Sequence, residues 1–191
     1  MVVGGAVESG EPCVVLSTFL ATCAEDDRLS YEPYHVAAEL KRDPQGSASV
    51  AAAAVAEGRR RQDQLAAKGL HAIVRALEEA RCKPVVAALL VNRAGWITDL
   101  LEYSVSWPEH VPVAEGLAVR DALRFALKKC RIVVAELDEK SLPDLAANAL
   151  DTSSVAIDAR LKALGANVGK PWRKEQKLAC LSAWFAITVQ R

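Results

Sequence analysis

Five short stretches carry residue types able to do chemistry. Glu32-Pro33-Tyr34-His35 is an E-x-x-H string of the kind that supplies metal ligands inside four-helix bundles. Such a site needs a second E-x-x-H and two further inward glutamates, and the sequence has no second copy. Pro33 also places Glu32 at or before a helix start, so the string reads as an N-terminal charge followed by a surface histidine. Gly165-Ala166-Asn167-Val168-Gly169-Lys170 faintly resembles a phosphate loop, but a residue is missing between the glycines and proline stands where Ser or Thr is required. It reads as a helix end and linker. His35, His71 and His110 lie in no sequence context that marks a nucleophile and its base. No catalytic residue, metal ligand or cofactor is therefore expected, and the chain leans away from being an enzyme.

The basic residues are more suggestive. Arg120, Arg124, Lys128 and Arg131 follow at helical spacings and make a ribbon along one helix. Lys170, Trp172, Arg173, Lys174 and Lys177 form a second group with an indole inside it, the pairing used where bases stack and phosphates are neutralised. Cations at a helix N-terminus oppose the dipole, which hints at an anionic partner there. Arg59-Arg60-Arg61 reads as a solvated helix face, because Glu57 precedes Arg61 by four and Arg59 precedes Asp63 by four. Arg93, among apolar residues near Asn92 and Asp99, reads as a structural ion pair. A ligand pocket around Arg93, Trp96 and Tyr103 is the alternative for that stretch.

These residues need elements to place them. The 191 residues suit one domain, and 51% of them are apolar. Ala supplies 34 residues and Leu 22, both strong helix formers, while β-branched Ile and the aromatics are scarce. The expected fold is all-α: a compact bundle of about seven helices, mostly antiparallel. Residues 1–10 are expected to be flexible and 11–191 to form a single α-helical domain. The apolar spacing of Leu16, Phe19, Leu20 and Cys23 predicts a first helix after Pro12. Further helices are predicted over about 33–42, 47–82, 85–107, 112–139, 141–165 and 171–190. Gly58 is expected to mark a break or a close crossing, Asn92 to Gly95 a kink, Asp151 to Ser154 a break, and Gly165 a helix stop. In the 112–139 segment Val119, Leu123, Ala126, Cys130, Val133 and Leu137 make a heptad seam.

Equal numbers of acidic and basic residues, 24 of each, exclude a chain-wide basic field for nucleic acid. The charge is nonetheless polarised, with acids concentrated before residue 45 and bases after residue 160. Five cysteines without paired spacing argue for free thiols in a reducing compartment. With no membrane span and no basic leader, a cytoplasmic or nuclear location is expected. The function expected from this pattern is protein–protein interaction or self-assembly, as an adaptor, structural or regulatory protein. Phe125, Ile132 and Trp184 are the expected interface residues. The alternatives are a nucleic-acid-binding protein using the two basic groups, and an all-α enzyme or small-ligand-binding protein.

Overall fold

A computed structural model of the chain describes residues 1–8, 11–44, 46–91, 96–169 and 172–190. The fold is mixed, with helices dominant and two small sheets, which corrects the all-α bundle expected above. The chain divides into two compact units. The first comprises Met1–Leu20, Ala72–Arg93 and Arg131–Arg191; the second comprises Ala21–His71 and Ala94–Cys130.

In the first unit, β1 (Val2–Glu8) and β2 (Glu11–Thr18) pair antiparallel, with a register shift between Gly4 and Gly5. The segment expected to be flexible thus contains a strand, and the predicted first helix is its partner strand. The cause is visible in the residues: Val3 and Val7 share one face of β1, and both reach the core with Val14 of β2. Valines favour the pleated sheet over the helix, because branching at Cβ restricts the side chain against a preceding helical turn.

The second sheet is a parallel pair, β3 (Val86–Val91) with β4 (Val133–Asp138), in register from Val86↔Val133 to Val91↔Asp138. Both strands were expected to be helix. The segments 85–107 and 112–139 instead each divide into a strand and a helix. What stops the preceding helices is not glycine. Arg81 and Arg131 take left-handed backbone angles, with φ of 60° and 56°, just beyond the helix ends. Asp151, with φ 46°, does the same between α6 (Leu142–Ala149) and α7 (Ser154–Val168). Ser153 then caps α7 by accepting from the Ala156 amide. Gly165 does not end α7; Gly169 does, at φ 85°. The final helix, α8 (Lys174–Val189), packs on β1 and β3, with α6 and α7 against it. Leu137, Leu142, Ile157, Leu161, Leu181 and Trp184 make the core.

The second unit is helical: α1 (Arg28–Tyr31), α2 (Pro33–Arg42), α4 (Leu100–Ser106), a 3-10 turn at Pro108–His110, and α5 (Val111–Lys129). The long helix α3 (Ala48–Glu79) belongs to this unit up to His71. It runs unbroken through Gly58, where an added Cβ would lie 2.4 Å from the Leu29 carbonyl and 2.5 Å from Pro33. That glycine marks a close crossing. The core here is small-residue packing: Ala37, Ala38, Ala51, Ala114 and Ala118 around Tyr34, Val55 and Val111. Among the described residues no helix is long and apolar enough to cross a membrane.

Candidate functional site

Two His-containing pairs in the second unit have the composition of a nucleophile and its base, and neither has the geometry. Cys130 Sγ lies 3.6 Å from His71 Nδ1, but that nitrogen is also 3.0 Å from the Ala67 carbonyl. A carbonyl can only accept, so Nδ1 carries the proton and cannot take one from the thiol. Burial pushes the Cys130 thiol up, which disfavours thiolate further. The same holds at Ser106 and His110. His110 Nδ1 donates to the Tyr103 carbonyl at 2.9 Å, and the Ser106 hydroxyl donates to that same oxygen at 2.7 Å. With its one proton directed at the Tyr103 carbonyl, Nδ1 has no lone pair for the Ser106 hydroxyl, so the 3.1 Å approach between them does not activate the serine. Glu32 and His35 do not build a metal site either. Glu32 pairs with Arg28, and His35 is exposed beside Glu39. Among the described residues no three His, Cys, Asp or Glu side chains are grouped to hold a metal ion.

What the second unit does present is a cleft between α2 and the α4 end. Asp99 caps α4 by accepting from the Leu101 and Glu102 amides, each at 2.9 Å. At the other end the chain leaves the helix at Trp107 in extended conformation, and Pro108 starts the 3-10 turn. This exit turns the Trp107 indole outward, leaving it 64% exposed. Opposite, the last turn of α2 brings up Lys41 and Arg42. The space between has a volume of about 140 Å³, lined by Ala38, Lys41 and Arg42 on one side and Ser104, Val105, Trp107 and Pro108 on the other. Its floor makes no demand on a ligand, since the Ser104 hydroxyl already donates to the Leu101 carbonyl. Its rim does. Glu39, one turn away, is taken by Arg28 at 2.8 Å. Neither Lys41 nor Arg42 has an ion-pair partner among the described residues.

A row of rings gathers around Tyr103 of α4. Tyr103 stacks on His110 at 3.9 Å between centroids with the planes 5° apart, and Trp96 meets Tyr103 edge-on at 5.4 Å. Trp96 is 70% exposed. Asp99, Glu102 and Glu109, close in sequence to these rings, are exposed.

The basic residues named from the sequence are divided. Arg120, Arg124 and Lys128 lie on α5 in the second unit, whereas Arg131, beyond the helix, belongs to the first. Arg124 pairs with Asp121 at 2.9 Å, and Asp121 also takes Arg59 at 2.6 Å. Arg120 bonds the Gly116 carbonyl at 3.3 Å, and Lys128 is exposed. In the first unit Trp172 is not an open stacking platform. Its Nε1 donates to the Leu161 carbonyl at 2.8 Å, and its ring lies where a Cβ on Gly165 would be. Arg173 and Lys174 are exposed, Lys177 is half-buried, and Lys174 approaches Glu139 at 3.7 Å. Lys170 and Arg93 lie outside the described residues, as do Asn92 and Gly95. Of the expected interface residues, Phe125 is 37% exposed beneath Lys129, Ile132 is half-buried, and Trp184 is 3% exposed in the first core. Trp184 offers no surface to a partner.

The cleft itself was missed in the sequence. Trp107 lies 65 residues beyond the Lys41-Arg42 pair and shares no motif with it. The one available signal was the Trp107-Pro108 pair, which marks an aromatic at a forced helix exit. No protein-family model matches the chain, and no curated protein or solved structure matches it.

Proposed function

We propose that the second unit is a non-catalytic protein-recognition module whose cleft seats a short acidic segment of a partner protein. The observation that supports this reading is the rim of the cleft: two cations that form no salt bridge among the described residues, facing an exposed indole and a proline across an apolar floor. A carboxylate between Lys41 and Arg42 gains charge-assisted hydrogen bonds, while an adjacent apolar side chain covers Trp107. The neighbouring acids favour a peptide over nucleic acid. Asp99, Glu102 and Glu109 are exposed on α4 and the turn that follows it, and would repel a continuous phosphate backbone but tolerate one or two carboxylates placed at the cations.

The test uses a fluorescein-labelled short peptide carrying two glutamates beside leucine and proline, and its twin with glutamines. The glutamate peptide is expected to bind about tenfold more tightly, a difference that shrinks with added salt. K41E/R42E should abolish that preference at a cost of about 1 kcal/mol in thermal unfolding, since both side chains are exposed but sit in the last turn of α2, where cations favour the helix dipole. Equal binding of the two peptides would overturn the reading. So would tight, salt-sensitive binding of a labelled single-stranded oligonucleotide that the same double variant abolishes. Concentration-dependent sedimentation that K41E/R42E removes would make a second copy of the chain the occupant instead.

A further inference from the structure

We propose that Glu115 is a proton-operated latch on α2, which holds this helix closed when its carboxyl is neutral and lets it open when the carboxyl ionises. The control it exerts over the cleft rests on the binding reading above; the latch itself does not.

The geometry is that of a borrowed helix cap. Nothing in the local sequence caps α2, because the Glu32 side chain makes no capping bond. Glu115 supplies the acceptor from the first turns of α5, about eighty residues away along the chain. Its Oε1 receives the backbone amides of Tyr34 at 2.8 Å and His35 at 3.0 Å. Two of the orphan donors of α2 are thereby satisfied. The other oxygen is not. Oε2 is buried and has no hydrogen-bond partner among the described residues. A neutral carboxyl leaves only a hydroxyl without an acceptor there; a carboxylate leaves part of its charge in the core with no donor to receive it, which costs more.

The surrounding charges do not relieve this. Glu32, at the start of α2, acts on Glu115 as a like charge. His35 contributes its backbone amide while its ring turns to Glu39. On α3, Arg59 is engaged by Asp121 of α5, and Asp63 is itself raised by burial. Tyr34, also beside Glu115, is buried and held above the usual phenol range by desolvation. His110 of the 3-10 turn is committed to Tyr103 and Ser106. Burial first, and Glu32 after it, push the Glu115 carboxyl up to about 7, against the pull of its two amide donors.

An exposed glutamate releases its proton near 4.5, so between that pH and 7 closed α2 binds more protons than opened α2. Closure is favoured at low pH, loses ground as pH rises, and levels off above 7. The opposite end of the same helix carries Ala38, Lys41 and Arg42, so opening α2 removes one wall of the cleft.

The experiment is amide hydrogen exchange on the full chain, read by NMR and corrected for intrinsic exchange rates. In the wild type the opening equilibrium of α2 should rise about tenfold between pH 6 and pH 8, from the two proton affinities just given. E115Q, a neutral side chain of the same shape, should flatten that response. Amides of α7, in the other unit, should show no such rise in either protein. An α2 response that is flat in the wild type, or undiminished in E115Q, overturns the latch. Adding the glutamate peptide at ten times its dissociation constant should suppress α2 opening about tenfold at pH 8. If the α2 exchange responds to pH but not to the peptide, the latch stands and the assignment of the cleft falls.

Discussion

The two units are held together by different kinds of interior. The first buries large side chains, with Leu142 at 0% exposure, Leu161 at 3% and Trp184 at 3%. The second buries alanines beside a tyrosine, and two of its buried polar atoms, Gln62 Oε1 and Glu115 Oε2, find no partner among the described residues. Each leucine of the first core contributes about 2 kcal/mol more transfer energy than an alanine of the second, at about 0.8 kcal/mol per methylene. Alanine contacts bring backbones closer but leave less reserve. Unsatisfied groups add a cost that an apolar interior does not carry. The exposed rings, the cleft and the latch all belong to the second unit. The comparison places stability in one region and adaptable surface in the other, as expected where function is built from locally unfavourable choices.

The most severe way to break this contrast is Trp184→Ala. It empties a central position of α8, whose ring also lies 5.6 Å from the Arg160 guanidinium. The expected cost is about 3–5 kcal/mol in urea unfolding. If Trp184 were an interface residue instead, the variant would keep its stability and change only its state of association. Loss of less than about 1 kcal/mol would sink the claim that the first core carries the reserve.

How much of this could be read in advance depends on which signal ends a helix. The helices α2, α3 and α8 fall within the predicted segments 33–42, 47–82 and 171–190, and Asp151 to Ser154 marks the break before α7. The strand β4 was hidden because the heptad seam continues through Val133 and Leu137; from the strand Leu137 reaches the core, while Val133 is 59% exposed. Sequence reading looks for glycine at a helix stop, whereas Arg81 and Arg131 adopt the left-handed conformation themselves, at about 1 kcal/mol or more each. The β1–β2 hairpin was obscured by Leu16, Phe19, Leu20 and Cys23, which share a helical spacing. Three of those four lie past or near the strand end, and Phe19 is 74% exposed. At the cleft, side-chain types were legible but their meeting was not. Lys41 and Trp107 come together only because α2 packs across α4. Glu115 left no trace in the sequence, since a cap donated from another helix obeys no local spacing.

A smaller change sharpens the contrast from the other side. Gly58→Ala should destabilise the second unit although alanine is the better helix former. The new methyl meets the Leu29 carbonyl at 2.4 Å, a backbone atom that cannot swing away as a side chain can. Crowding of this kind costs about 1–3 kcal/mol, and helix propensity returns about 1 kcal/mol. A net loss of about 1 kcal/mol is expected, with exchange rising in α1 and α2 before α7. Stabilisation would mean that α1 is not held against α3 as closely as the structure places it.

The smallest effect is the one whose sign is most informative. Glu115→Gln removes a titratable group that the fold holds neutral until about pH 7. A raised carboxyl contributes stability that is fully present below 4.5, declines as pH rises, and has been lost above 7. The wild type should therefore lose stability from pH 5 to pH 8 through this group, and the glutamine variant should lose less. The full shift sets an upper bound of about 3 kcal/mol, at about 1.4 kcal/mol per pH unit. Because Gln accepts the Tyr34 and His35 amides more weakly, and its own amide needs an acceptor where Oε2 has none, a gain of about 1 kcal/mol at pH 8 is expected. Urea unfolding at pH 5 and pH 8 measures it. A variant that is less stable than wild type at pH 8 would show that the charge on Glu115 holds α2 in place, and that the second unit stores no strain at this position.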